Sequence, residues 1–198
     1  PPGTGPVFGP HLKNPHPGEI RERKATKTTE TTTILNTPPA APLDDAIFGL
    51  CDYVTPNESE ATGITGVAVT DVATARKAGD VLLKKGAGAA LITLGGQGAL
   101  LHTASAAVHI PVFSVGKVVD TTGAGDAFNG GFAAALSRGE KPEAAARFGA
   151  AVAGISVVRP GAAASVPRLE ETLALLEKSW FQKAASTLPP GNPRQFLR

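Results

Sequence analysis

Asp120-Thr-Thr-Gly-Ala-Gly-Asp126 is a glycine-rich turn flanked by two carboxylates, and it runs without a break into the apolar stretch Ala127 to Leu136. A helix start leaves its first N–H groups without internal partners and points the positive end of its dipole outward, so small residues there let an anion come close. Gly123, Ala124 and Gly125 are the candidate anion hole. Asp126 at its edge is the candidate general base, placed to take a proton from an attacking hydroxyl while the amides hold the charge developing on a phosphoryl group. A tight turn closed by an Asp cap uses the same residues, and residue chemistry alone leaves both readings open. Neither common phosphate motif fits: G-x-x-x-x-G-K-[ST] does not occur, and Phe128 stands where G-x-G-x-x-G needs its third glycine.

Three further segments carry chemistry-bearing residues. Asn57-Glu-Ser-Glu60 follows Pro56; Asn57 suits a helix N-cap and Glu60 its capping-box partner, roles compatible with ligand binding. Ala89 to Leu94 is a continuous apolar run ending in Gly95-Gly-Gln-Gly98. A buried strand opening into a glycine turn suits a parallel sheet, whose ligands bind beyond the carboxyl ends of the strands, although a hairpin would use the same glycines. Ala144 to Val158 reads as a small-residue helix, which Arg159-Pro-Gly161 through Ser165-Val-Pro167 then breaks.

The elements that must position these groups alternate. Thr31 to Leu35 is predicted as a strand, Asn36 to Pro42 as a proline-rich loop, Leu43 to Leu50 as a short helix, and Asp71 to Lys85 as a helix before the strand Ala89 to Leu94. Ala99 to Thr103 and Val108 to Ser114 add short strands, expected as an antiparallel edge, and Arg168 to Glu177 a terminal helix. This alternation predicts α/β layers on a mostly parallel sheet. Residues 1–30, rich in Pro, Gly, Thr and charge without a hydrophobic period, are expected to be disordered or irregular, and residues 179–198 to form a loose tail.

A chain of 198 residues with 42% hydrophobic content suits one domain with a core. A net charge of +2 gives no case for a nucleic-acid or membrane surface. Cys51 is the single cysteine, which excludes an internal disulfide and a cysteine metal cluster, and His11, His16, His102 and His109 lack metal-ligand spacing. No apolar run approaches the ~20 residues that span a bilayer and no secretory core opens the chain, so the cytoplasm is the expected compartment. With no methionine and a proline at position 1, the sequence reads as a fragment.

The string DTTGAGDAFNGG closely resembles the C-terminal signature of the ribokinase (PfkB) family of sugar and nucleoside kinases. TPNESEA resembles that family's N-x-x-E element, ITLGGQGALL its nucleotide-binding strand and turn, and the segment through Ser165 its closing loop. The resemblance implies a ribokinase-like, Rossmann-type three-layer α/β sandwich spanning residues 31–178. It implies Asp126 as base and acceptor contact, and Asn57, Thr93, Gly95, Gly98 and Gly125 at ATP. Glu60 would hold Mg²⁺, partly through water; the ion prefers oxygen ligands and keeps several of its waters. Asp120, the Thr122 carbonyl, Ser156, Gly161 and Ser165 would surround a monovalent cation, K⁺.

The match runs from about Thr31 to about Leu176 but corresponds only to the C-terminal half of a family member. The first strands of the sheet, the small lid that makes the family's homodimer contacts and the motif gripping the sugar have no recognisable counterpart. The activity implied is ATP-dependent phosphorylation of a primary hydroxyl on a small sugar, with ribose giving ribose 5-phosphate the first choice and fructokinase, 2-keto-3-deoxygluconate kinase or nucleoside kinase the alternatives within the family. The rival from another class is a non-catalytic ATP-binding remnant, since the acceptor's main ligands are missing.

Overall fold

A computed structural model describes residues 31–37 and 43–187, with side chains described through residue 179. The expectations for residues 1–30, for most of the Asn36–Pro42 loop and for the tail beyond Thr187 lie outside the described residues.

Five strands form one sheet in chain order: β1 (Ile34–Leu35), β2 (Tyr53–Val54), β3 (Ala89–Thr93), β4 (Ala99–Thr103) and β5 (Ala107–Ile110). β1, β2 and β3 pair in parallel, Ile34 facing Tyr53 and Tyr53 facing Ala89. β4 and β5 continue the sheet antiparallel, Leu91 opposite Leu101 and Leu101 opposite Val108. The expected antiparallel edge is present, but its last strand stops at Ile110. Pro111 follows, and without an N–H it cannot extend the ladder.

Helices cover both faces, as the uninterrupted apolar texture of β3 requires. α1 (Glu58–Thr65) and α2 (Val72–Lys84) lie on one side. There Phe48, Val54, Leu82, Ile92, Leu94 and Leu100 bury their side chains. α3 (Ala124–Ser137) and α4 (Pro142–Ser156) lie on the other, packed on Leu91, Leu101, Phe128, Phe132 and Phe148. Alternation along β3 divides its residues between the two cores, Ala89 and Leu91 to one and Ala90 and Ile92 to the other. α5 (Leu169–Thr187) packs on α4 and extends well past Glu177, where the sequence predicted its end.

Two predicted elements are shorter than their sequence suggested. Of Thr31 to Leu35 only Ile34 and Leu35 pair as strand. Thr33 is taken up by bonds to the segment before β2 instead, its N–H donating to Asp52 Oδ2 at 2.8 Å and its hydroxyl to the Leu50 carbonyl at 2.8 Å. Leu43 to Leu50 yields a short 3-10 helix, Asp45–Leu50, capped by Asp44, which accepts the Ala46 N–H at 2.9 Å.

α3 and α4 approach closely because glycines meet between them. A Cβ on Gly149 would fall 2.7 Å from the Phe128 carbonyl oxygen, and one on Gly131 would fall 3.0 Å from Gly149 Cα. Phe132, wholly buried on the same helix face, meets the ring of Tyr53 edge-on with centroids 5.0 Å apart, which fixes α3 over β2. Gly149→Ala therefore forces the two helices apart and is expected to cost about 1–3 kcal/mol. Gly63→Ala, at an exposed helix position with open space around it, should instead stabilise by about 0.5–1 kcal/mol. Urea denaturation of both variants checks this; equal effects would mean that the α3–α4 contact is looser than described.

Candidate active site

The predicted site residues converge where α3 begins and β3 ends. Gly123 is the N-cap of α3 with φ of 75°, a left-handed conformation that favours glycine, and a Cβ there would fall 2.9 Å from Ala162 Cβ. The Ala124 N–H turns back to the Thr121 carbonyl at 3.1 Å and the Ala127 N–H bonds the Gly123 carbonyl at 2.8 Å. The amides of Gly125 and Asp126 have no backbone acceptor among the described residues. Of the three residues expected to form the anion hole, Ala124 thus has its donor occupied, while the N–H groups of Gly123 and Gly125, and of Asp126 beyond them, have no acceptor among the described residues. The Asp126 carboxylate is exposed in the first helical turn and makes no hydrogen bond among the described residues. It is not an N-cap, so the tight-turn reading does not account for it.

Asp120 has a different task. Its Oδ1 accepts the Thr122 N–H at 2.9 Å and its Oδ2 accepts the Gly161 N–H at 3.0 Å, tying the glycine turn to the closing loop 41 residues away. The hydrogen bonds from Thr122, and after them the one from Gly161, hold its carboxyl below the usual carboxylate range. The loop is further anchored by Ser165, buried, whose hydroxyl donates to the Ala162 carbonyl at 2.7 Å and lies 3.4 Å from the Ser156 hydroxyl. Arg159 pairs with Glu171 at the start of α5. Asp120, Thr122, Ser156, Gly161 and Ser165 are therefore drawn together by contacts between the two loops.

Asn57 caps α1. Its Oδ1 accepts the Glu60 N–H at 2.9 Å while Glu60 Oε2 accepts the Asn57 N–H at 2.9 Å, the complete capping box that the spacing allowed. The same Glu60 oxygen accepts the Thr37 hydroxyl at 3.1 Å, which connects α1 to the end of β1. The Thr93 N–H donates to the Pro56 carbonyl at 3.0 Å, so the ends of β2 and β3 meet beside Asn57.

A cavity of about 690 Å³ opens between these elements, within the range of small-molecule sites. Asn57, Thr93, Gly95, Gly98, Thr121 and Gly125 line its polar side. Val112, Phe113, Val115, Val118 and Val158 form an apolar wall, with Val112, Val115 and Val118 exposed. Gly98 has no room for a side chain, since a Cβ would fall 2.1 Å from the Ile110 carbonyl oxygen. Asp126, Glu60, Asp120, Ser156, Gly161 and Ser165 lie outside the lining. Sequence reading missed Glu58, which lines the cavity, and the apolar wall, which apart from Val158 sits in the Pro111–Val119 loop and was assigned in part to a strand. Asn36 and Asn129, 93 residues apart, also meet, Asn129 Nδ2 donating to Asn36 Oδ1 at 3.2 Å. Only the position of Asn129 one turn after Asp126 was a signal.

The donor set fits an anionic nucleotide and hard cations: amides at a helix start, hydroxyls, carbonyls and carboxylates. Among the described residues no group of three or more His, Cys, Asp or Glu is placed to hold a metal by itself. No described helix is long and apolar enough to cross a membrane.

The sequence profile described as pfkB family carbohydrate kinase matches residues 10–169. A ribokinase of Haemophilus influenzae is 41% identical over 166 residues, which is 84% of this chain and 54% of that protein. Among solved structures, the ribokinase of Thermotoga maritima is 40% identical with a TM-score of 0.69, over 79% of this chain and 52% of that one. The Arabidopsis thaliana ribokinase complexed with ribose and ATP is 31% identical with a TM-score of 0.74, over 80% and 51%. The chain spans about half the length of the relatives it matches. These likenesses agree with the ribokinase-like α/β fold expected from the sequence.

The Asp120 tether has a pH signature. Because its folded pKa lies below the unfolded value, ionised Asp120 contributes stability that is fully present above the ordinary range near about 3.9 and is lost as pH falls through the depressed folded value. The Gly161 amide resonance, followed by NMR from neutral to acid pH, is expected to move with a midpoint below about 3.9, and Asp120→Asn should abolish that step. A midpoint at or above the ordinary value would mean that the tether does not form.

Proposed function

The chain belongs to the pfkB family of carbohydrate kinases, and from that premise we propose that it carries the nucleotide-binding and catalytic portion of an ATP-dependent sugar kinase acting on ribose to give ribose 5-phosphate. The observation that carries the reading is the start of α3, where amides of Gly125 and Asp126 and the Asp126 carboxylate, all without partners among the described residues, adjoin a cavity of nucleotide size. The choice of ribose rests on the ribokinases named above, one of them complexed with ribose and ATP.

In this proposal ATP is held with its base against the valine wall and its phosphates toward Thr121 and Gly125, near Asn57, Thr93, Gly95 and Gly98. Asp126 takes the proton of the acceptor hydroxyl as that oxygen bonds to the terminal phosphorus and the bond to the bridging oxygen breaks, releasing ADP. The helix-start amides of Gly125 and Asp126 stabilise the charge on the transferred group. Mg²⁺, held through water by Glu60 with Asn57, would offset phosphate charge. A K⁺ among Asp120, the Thr122 carbonyl, Ser156, Gly161 and Ser165 would stiffen the loop behind the anion hole. The tether from Asp120 to Gly161 performs part of that stiffening itself. The proposal extends to a cytoplasmic location, and to the family's homodimer only where the lid that builds it is supplied.

Spanning about half of its relatives favours a second reading, ATP binding without turnover. Calorimetric titration with Mg²⁺–ATP, paired with a coupled ADP-release assay, separates the two: binding without sugar-dependent ADP release supports the remnant. In the kinase reading, Asp126→Asn should lower kcat by about 10²–10⁴-fold and leave ATP affinity unchanged, whereas Gly125→Val should weaken both. Near-normal kcat in Asp126→Asn would reduce that residue to favourable charge at a helix start.

A further inference from the structure

Asn129 lies one helical turn beyond Asp126 on α3, and residues three apart share a helix face with Cβ atoms about 5–6 Å apart. Asn36 follows β1 at its carboxyl end and is exposed. The two side chains meet through one hydrogen bond, Asn129 Nδ2 to Asn36 Oδ1 at 3.2 Å. That bond spans 93 residues and belongs to no cap, turn or ladder. The Oδ1 of Asn129 is buried without a partner, an arrangement that an amide pair serving stability alone would avoid by exchanging a second bond. Thr37, the next residue, is fixed in turn by its bond to Glu60. The carboxyl end of β1 is thereby held on both sides, to α1 and to α3.

The consequence lies in what Asn36 has left. With its Oδ1 taken by Asn129, its carboxamide is oriented and its exposed NH₂ is without a protein acceptor among the described residues. That donor is held by Asn129, which stands one turn along α3 from an acceptor unengaged among the described residues, the Asp126 carboxylate. A hydroxyl can accept from the first while a second hydroxyl donates to the other, which is the pattern of a polyhydroxyl compound and not of an alcohol with a single OH. We propose that Asn36 is a specificity-determining contact for a second hydroxyl of the acceptor, and that Asn129 is a positioning residue that sets the Asn36 carboxamide. This rests on the kinase reading only for the fate of the hydroxyl at Asp126.

The test uses the whole chain with ribose as probe and tetrahydrofuran, the ring without hydroxyls, as control. The side-chain NH₂ resonances of Asn36 and Asn129 are followed by NMR, and phosphoryl transfer from ATP is assayed on the same samples. Ribose, and not tetrahydrofuran, should shift the Asn36 NH₂ signal. Asn36→Asp keeps the oxygen that Asn129 bonds but removes the donor, so thermal stability should hold while the ribose dissociation constant rises about 5-fold, the worth of one neutral hydrogen bond. Asn129→Ala should weaken ribose binding in the native background and add nothing once Asn36 is replaced. Transfer to ribose with an unmoved Asn36 signal, or an unchanged dissociation constant in Asn36→Asp, overturns this inference and leaves the kinase reading standing. A ribose-dependent shift without transfer supports the polyol contact and counts against turnover, and neither shift nor transfer overturns both.

Discussion

The close approach of α3 to α4 is the constraint from which the rest of the site follows. Gly131 and Gly149 let the helices come within backbone contact, and Phe132 locks the pair onto β2 through Tyr53. Once α3 is fixed in that direction its N-terminus can emerge only beside the carboxyl ends of β1 to β3. There its unpaired amides and Asp126 face the region that a parallel sheet reserves for ligands. A side chain at either glycine would move the helix bodily, and with it every donor that its first turn supplies.

Polar groups around the cavity divide between those engaged in structure and those left free. Asp120 uses both oxygens to hold two loops, and one oxygen of Glu60 serves the Asn57 cap and Thr37 together. Asp126, in contrast, is exposed and has no hydrogen-bond partner among the described residues. A carboxylate that fixes the backbone cannot also collect a proton without loosening what it holds, so of the two it is Asp126, and not Asp120, that is available for the proton transfer proposed above. The amides contribute in the same way: they are aimed by the helix and need no reorganisation when charge develops in front of them.

The sheet is asymmetric in a manner that matters for activity. β4 and β5 close one side with antiparallel pairs, whereas β1, two residues long, ends the parallel side with half-buried side chains. A parallel edge of this kind is ordinarily continued or covered. The chain spans about half the length of its relatives, and Asn36 and Thr37, which bond to α3 and α1, follow β1 on that edge.

Motif chemistry local in sequence was legible without a structure. The glycine turn before an apolar helix, the Asn57 and Glu60 spacing, and the apolar run into Gly95 to Gly98 each specify a backbone conformation within a few residues, so the helix start, the capping box and the strand-to-turn element follow from neighbouring residues alone. Contacts across the chain were not legible. Nothing in the spacing of Asp120 and Gly161, of Thr37 and Glu60, or of Asn36 and Asn129 marks them as partners, because their proximity results from which helix packs on which face of the sheet. The Ala124 donor was lost from the expected set in the same way, because it closes onto the Thr121 carbonyl in a turn the sequence did not specify. Sequence determined which residues can perform the chemistry. Tertiary packing decided which of them are free to perform it, because a side chain's availability depends on what the rest of the fold has already bonded to it.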